Sequence, residues 1–124
     1  IGFALHWPKR KALPVERLDL ANIGQFSFRA PDDLRYPALR LAREVMEIGG
    51  LAGAAFNAAK EQALDAFIAG EIGFMQMAEV VEEVLNQLET ANRLRIAAFT
   101  LDDVRQTDHL SRQEARNIMR AWAA

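Results

Sequence analysis

The chain has 124 residues, of which 51% are apolar and 26% charged, and its formal net charge is −2. This composition is typical of a single globular domain, and the small net charge gives no general attraction to nucleic acid or to an anionic membrane. Cysteine is absent, which excludes disulfides, thiolate zinc sites and cysteine nucleophiles.

Residues 1–35 contain three of the four prolines, Pro8, Pro14 and Pro31, which prevents a long helix there. No apolar run is long enough to span a bilayer, and the charges of the first residues follow the apolar stretch, unlike those of a signal peptide. The abrupt apolar start, IGFALHWP, predicts that the chain is a piece of a longer polypeptide.

Residues 25–29, QFSFR, alternate polar and apolar side chains, which predicts one short strand with Phe26 and Phe28 on the same face. A lone strand is not stable in water. We therefore expect its partner strands to be missing from this chain or to come from a dimer mate.

From Pro37 on, the chain reads as helix, with Pro37 at the first helical position and Gly49-Gly50 as the stop. The apolar positions of this helix recur at i, i+4 and i+7: they are Leu41, Val45 and Ile48.

A second helix is predicted from about Ala54 to Ala69 and a third from about Met75 to Glu89. The predicted buried side of the second helix comprises Phe56, Ala59, Ala63, Leu64, Phe67 and Ile68. That of the third comprises Met77, Val80, Val81, Val84, Leu85 and Leu88.

Two capping boxes near the end predict two more helices. Thr100 to Asp103 opens a short one, and Ser111 to Glu114, with the S-x-x-E pattern, opens a last one that includes Trp122. The predicted fold class is mainly α: a small antiparallel helical bundle, preceded by an extended, Pro-containing segment with one short strand. The predicted boundary separates residues 1–35 from a bundle at 36–124.

No recognisable active site emerges from the sequence. Neither His6 nor His109 has a Glu three residues before it, so a di-iron bundle lacks its ligands, and His109 is expected in a helix–helix connection. The carboxylate pairs Glu61/Asp65 and Glu79/Glu83 are typical of a solvated helix face, and neither Ser27 nor Ser111 has a nucleophile-elbow context. We expect no catalytic, cofactor-binding or metal-binding residue in this chain.

One polar residue stands out in the stretch GAAFNAAKEQ at 53–62, where Asn57 lies among alanines. A buried amide must be hydrogen-bonded, and the alanines allow another backbone to come close. The favoured interpretation is that Asn57 forms an interdomain or helix-to-loop hydrogen bond. The alternatives are that Asn57 is simply exposed to solvent or that it takes part directly in catalysis.

Three stretches in order then resemble one enzyme family. They are HWPKRK with LPVERLDL at 6–20, FSFRAPDDLRYPALRLARE at 26–44, and GGLAGAAFNAAKEQALDAFIAGEIGFMQM at 49–77. Together they resemble the C-terminal part of the 1-deoxy-D-xylulose 5-phosphate reductoisomerases, and the resemblance weakens after about residue 90.

The resemblance implies an NADPH-dependent and divalent-metal-dependent (Mg or Mn) oxidoreductase of non-mevalonate isoprenoid biosynthesis, cytoplasmic and homodimeric. The family's nucleotide, metal and substrate residues lie upstream, so none is carried onto this sequence. Residues 1–35 would be the end of the catalytic domain and a connecting segment, and residues 36–124 the bundle that supports the catalytic domain.

The family's usual N-A-A-N-E pattern reads Asn57-Ala58-Ala59-Lys60-Glu61 here, with a cation in place of an amide. Lys60 must find a carboxylate, with Glu61 or Glu47 as partners, or reach water. We assign Asn57, Lys60 and Glu61 a structural or interdomain role.

Two other interpretations stay open at this point. One is a free-standing helical protein-interaction module, and the other is a metal-carboxylate bundle enzyme, which lacks its histidines. If upstream domains are missing, apolar side chains should be exposed and the isolated chain should dimerise or aggregate. These side chains are Ile1, Phe3, Leu5, Trp7, Phe26 and Phe28.

Overall fold

The computed structural model describes residues 1–122, which form two compact units, Ile1–Ala30 and the residues from Pro31 on. The described residues form six α-helices and no strand. None of these helices has both the length and the apolar character needed to cross a bilayer.

The first unit contains two single-turn helices, α1 (Gly2–Leu5) and α2 (Leu20–Ile23). Asp19 caps α2, since its carboxylate accepts a hydrogen bond from the backbone N–H of Ala21 at 3.0 Å. The prediction that prolines prevent a long helix here is confirmed. The six apolar side chains expected to be exposed are exposed in the structure.

The predicted strand at 25–29 is not confirmed: these residues pair with no neighbouring strand in the described part of the chain. The Phe26 and Phe28 rings nevertheless lie on the same side, with centroids 6.4 Å apart. A strand requires a neighbour to complete its backbone hydrogen bonds, and the described residues contain none.

The second unit contains the four long helices α3 (Pro37–Ile48), α4 (Ala52–Ile68), α5 (Gln76–Thr90) and α6 (Leu101–Trp122). The first three match the predicted helices to within two residues at each end. Pro37 occupies the first turn of α3, where its missing N–H costs nothing.

Helix α4 lies at the centre of the bundle and contacts α3, α5 and α6. Its buried residues are all alanines: Ala52, Ala55, Ala58, Ala59, Ala63 and Ala66. The prediction that Leu64, Phe67 and Ile68 face the core is wrong, since they are 42%, 37% and 74% exposed. Small side chains let the neighbouring helix axes approach closely, so the alanine side of α4 packs inward.

The predicted apolar sides of α3 and α5 are confirmed. Leu41 is buried, and Val45 and Ile48 pack against the core. In α5 the buried residues are Val80, Val81, Val84, Leu85 and Leu88, with Met77 packed against them.

The segment between α5 and α6 returns to the turn between α3 and α4. The carbonyl of Leu94 accepts a hydrogen bond from the backbone N–H of Leu51 at 2.9 Å. Gly50 has a positive φ of 52° and lies against the backbone of Leu94 and Ile96, too close for any Cβ. This contact fixes the position of an otherwise irregular segment.

The prediction of two helices after residue 100 is wrong, because α6 is one continuous helix. Thr100 is the true cap: its hydroxyl oxygen accepts from the backbone N–H of Asp103 at 3.2 Å. In return the Asp103 carboxylate accepts from the backbone N–H of Thr100 at 2.7 Å, which lowers the pKa of the Asp103 carboxyl. Ser111 lies inside the helix, buried, and its hydroxyl donates to the Thr107 carbonyl at 2.7 Å.

Alanine substitutions at Thr100 and Ser111 distinguish the residue that caps α6 from the one that lies inside the helix. Thr100→Ala should destabilise the chain by about 1 kcal/mol, the usual cost of losing an N-cap. Ser111→Ala should change stability by less than about 0.5 kcal/mol, because a mid-helix hydroxyl bonded to its own helix adds little. Urea unfolding measures both. A larger loss for Ser111→Ala than for Thr100→Ala would contradict this assignment.

Candidate functional site

The three residues that the sequence assigned to a contact lie together on the exposed side of α4. The side-chain amide of Asn57 donates from Nδ2 to Glu61 Oε1 at 3.0 Å. Lys60 Nζ donates to Asn57 Oδ1 at 3.2 Å. Asn57 is exposed, so its amide is satisfied by its own helix and is not enclosed by the neighbouring alanines.

Glu61 extends this cluster to α6. Its Oε2 accepts a hydrogen bond from Arg112 Nη2 at 2.6 Å. Arg112 also donates from Nε to Asp108 Oδ2 at 2.8 Å, one turn earlier on α6. We call Asn57, Lys60, Glu61, Asp108 and Arg112 the α4–α6 ion cluster.

Arg112 shifts the pKa values of the two carboxyls that it joins in this cluster. The hydrogen bond from Arg112 holds the pKa of the Glu61 carboxyl below its usual range, and it does the same for Asp108. Asp108 and Glu61 in turn raise the pKa of Arg112. These shifts favour the charged forms of Glu61, Asp108 and Arg112, and the hydrogen bonds among them tie α4 to α6.

Arg112 was not recognised from the sequence. Its spacing of four residues from Asp108 is a signal for a helical ion pair, but the S-x-x-E pattern around it indicated a helix start. Its contact with Glu61, 51 residues away, depends on how α4 and α6 pack.

Arg112→Gln should make stability less sensitive to acid. Carboxylates with a lowered folded-state pKa stabilise the fold above their unfolded pKa, and this stabilisation is lost as pH falls through the folded pKa. The unmodified chain should therefore melt higher than the variant at pH 7, and the difference should shrink as pH falls below about 4, through the lowered pKa values of the two carboxyls.

Arg105→Gln is the matched control, because the one ion pair that Arg105 forms among residues 1–122 is with the exposed Asp102 of its own helix. Melting curves from pH 7 to pH 3 provide the measurement. An equal melting difference at both ends of this range would show that Arg112 does not act through the two carboxylates.

Lys60 forms no close ion pair in the described part of the chain, although its charge contributes to the lowered pKa of Glu61. Its ammonium group donates to Asn57, and neither Glu47 nor Glu61 forms an ion pair with it. Its side chain lies at the wall of an apolar groove of about 370 Å³, formed by the start of α3, by α4 and by the connection to α5.

The described residues contain no group of three or more His, Asp or Glu side chains that could hold a metal ion. His6 lies with Nδ1 2.9 Å from the Gly2 carbonyl oxygen. The expectation that His109 occupies a helix–helix connection is wrong, since it lies on the exposed side of α6.

The fold and the contacts described above define the class of protein. It is a helical domain in which clusters of polar side chains connect neighbouring helices. The chain belongs to the family described as the DXP reductoisomerase C-terminal domain, whose model matches residues 1–114. The match extends past residue 90, where the resemblance in the sequence weakens.

Relatives from several organisms are similar over nearly the whole chain. A 1-deoxy-D-xylulose 5-phosphate reductoisomerase of Ruegeria pomeroyi is 67% identical over 119 residues, which cover 96% of this chain and 30% of the relative. The reductoisomerase of Jannaschia sp. is 55% identical over 124 residues, 100% of this chain and 30% of the relative. The chain thus spans about 30% of the length of these relatives.

Solved structures show the same fold. A reductoisomerase from Zymomonas mobilis in complex with NADPH matches 95% of this chain and 30% of its own, with a TM-score of 0.79 and 39% identity. A DOX-P reductoisomerase in complex with NADPH, fosmidomycin and magnesium matches 98% of this chain and 31% of its own, with a TM-score of 0.87 and 28% identity.

Proposed function

We propose that this chain is the C-terminal part of a reductoisomerase that converts 1-deoxy-D-xylulose 5-phosphate to 2-C-methyl-D-erythritol 4-phosphate. The observation that carries the proposal is the family match over residues 1–114, together with relatives of that name of which the chain covers about 30%. The reaction would use NADPH and a divalent metal, Mg or Mn, in the cytoplasm.

The proposal places neither cofactor on the described residues of this chain. The described part has no cluster of three or more His, Asp or Glu side chains for a metal. Its paired glycines, Gly49 and Gly50, follow the C-terminal end of α3, which has the wrong polarity for a phosphate group. The proposal therefore assigns both cofactor sites to the upstream part of the polypeptide, and this chain to its support.

In this role the ion cluster keeps α4 and α6 in register, and its exposed members face the upstream domains. Asn57, Lys60 and Glu61 are proposed to contribute interdomain contacts, since all three are exposed on one side of α4. The parent enzyme is proposed to be a homodimer.

An activity assay on the full-length protein tests the function. Oxidation of NADPH, followed at 340 nm, should require both 1-deoxy-D-xylulose 5-phosphate and a divalent metal, and EDTA should abolish it. The isolated chain should show no turnover. A folded, metal-loaded full-length protein without turnover would overturn the proposal.

Asn57→Ala tests the interdomain role. In the isolated chain the change should be nearly neutral, within about 0.5 kcal/mol, because alanine's higher helix propensity offsets two exposed hydrogen bonds. In the full-length protein it should lower stability by about 1 kcal/mol while turnover at a permissive temperature stays the same. Melting curves of both proteins, with turnover measured alongside, decide the matter. A large loss of turnover with unchanged melting would contradict a supporting role.

A further inference from the structure

A further groove, of about 570 Å³, lies where α5 ends and α6 begins. Four apolar side chains line it: Leu51, Leu88, Ile96 and Leu110. Ile96 is 36% exposed, so part of this apolar surface is open to solvent. Two arginines and a histidine line the groove as well: Arg93, Arg105 and His109. We call it the basic groove.

The two arginines of the basic groove are available to carboxylates of another molecule. Arg93 is exposed and takes part in none of the ion pairs found among residues 1–122. The one ion pair of Arg105 in that range is with Asp102, whose side chain is 79% exposed, and exposed pairs of this kind contribute little. The carboxylate that lines the groove, Asp103, already accepts a hydrogen bond from the backbone N–H of Thr100. The groove therefore combines an apolar surface with available positive charge.

A groove of opposite charge, about 480 Å³ in volume, lies where α5 begins and α6 ends. Glu79, Glu82 and Glu83 line it, and its lining residues among 1–122 include no lysine or arginine. Arg40 pairs with Glu82 at 2.8 Å, whereas none of the ion pairs in this range includes Glu79 or Glu83. Trp122, 42% exposed, also lines this groove, and tryptophan is among the residues that most often anchor a protein interface. We call it the acidic groove.

The two grooves lie at opposite ends of the same helix pair and open on the same side of α6. Leu110 lines the basic groove, and Ala121, about three turns later on the same side of the helix, lines the acidic one. We call this side of the helix pair the α5–α6 face. A face that is basic at one end and acidic at the other complements a second copy of itself turned end over end. Two copies related by a twofold axis would then make the same contact twice and form a closed pair.

We propose that two copies of this chain associate through the α5–α6 face, with Trp122 of each copy in the basic groove of the other. The glutamates of each acidic groove then oppose the arginines of the partner's basic groove. Neither groove suits its own counterpart in a second copy, because like charges would oppose each other. The contact is smaller than a standard interface, so we expect weak association that falls with added salt. The inference is independent of the proposed function, and in a parent that is a homodimer through another surface it joins one dimer to the next.

Photo-crosslinking in the full-length protein tests the geometry. A benzophenone amino acid replaces Trp122 or, as the control, Met46 of α3, which is 82% exposed and lines neither groove. An equal mixture of ¹⁵N-labelled and unlabelled protein is irradiated, and the crosslinked peptides are identified by mass spectrometry. Position 122 should crosslink to a peptide that contains Ile96 or Leu110, and about half of these crosslinks should join the two isotopes.

Three outcomes of this experiment would overturn the proposal. They are crosslinks from position 122 that never join the two isotopes, crosslinks to residues 1–30 or to an upstream segment in place of the basic groove, and none above the level of the Met46 control. Because crosslinking does not depend on turnover, an inactive protein with the expected crosslink would refute the proposed function alone.

Charge reversal tests the electrostatic part by sedimentation velocity of the full-length protein. One variant combines Glu79→Arg with Glu83→Arg, and the other combines Arg93→Glu with Arg105→Glu. Each alone should weaken the association at least about 10-fold, because like charges then oppose each other. An equal mixture of the two variants should recover it, since each altered groove again meets its opposite. Recovery also shows that both variants are folded.

The matched control combines Glu47→Arg with Glu71→Arg, the same change of charge at exposed positions that line neither groove. It should associate like the unmodified protein. Trp122→Ala tests the anchor without a change of charge and should weaken association at least about 10-fold. The proposal fails if the unmodified protein forms no salt-sensitive assembly through this face, if the mixture does not recover, or if the control weakens association equally.

Discussion

Gly50→Ala should destabilise the chain by about 3–5 kcal/mol, which lowers its melting temperature by at least about 10 °C. Two costs add. An L-residue at a φ of 52° is strained, and the new Cβ would overlap the carbonyl oxygen of Leu94. Because the obstacle is backbone, the turn and the segment before α6 must move apart. The bond from the Leu51 N–H to Leu94 would be lost with them.

Gly70→Ala is the matched control. Gly70 also has a positive φ, 75°, but a Cβ there meets no atom within 4 Å. Its cost should be about 1 kcal/mol, the conformational strain alone. Thermal unfolding of both variants separates strain from overlap. Equal losses at the two positions would show that the contact between Gly50 and Leu94 does not constrain the fold.

Leu94→Ala should cost about 3 kcal/mol, or about 10 °C in melting temperature. Leu94 is fully buried, although it lies in an irregular segment between two helices. Its truncation leaves a cavity in the core, and the loss of packing adds to the lost transfer free energy.

Leu34→Ala, at a leucine that is 93% exposed, should change stability by less than about 0.5 kcal/mol. Urea unfolding at constant m-value provides the comparison. A loss of less than 1 kcal/mol for Leu94→Ala would mean that the segment before α6 detaches from the bundle without cost.

Helix positions followed directly from local sequence. Pro37, Gly49 and the apolar repeat of α3 each predict a helix, and the structure places the helix there. The same holds for α5, whose valines and leucines recur at the helical period and are buried. These predictions depend on local sequence, because the helix propensity, the hydrophobic period and the helix-breaking residue all indicate the same helix.

The side of α4 that packs inward could not be read from hydrophobicity. Leu64 and Phe67 are more apolar than alanine, yet they lie outside and the alanines lie inside. The deciding quantity is the distance between helix axes, which depends on three helices at once.

Ser111 shows the same limit for a motif. The S-x-x-E pattern has the chemistry of a helix start, but Asp108 and Thr107 before it already continue the helix from Thr100. The serine hydroxyl then donates to its own helix.

The sequence by itself determined the family, the helical class, three helix positions and the cap at Thr100. These depend on neighbours within a few positions, or on the order of short motifs. Only the tertiary structure shows that Arg112 donates a hydrogen bond to Glu61, that the alanine side of α4 is buried and that Lys60 borders an apolar groove. Each of these joins residues far apart in the chain, so only the packing of whole helices brings them into contact.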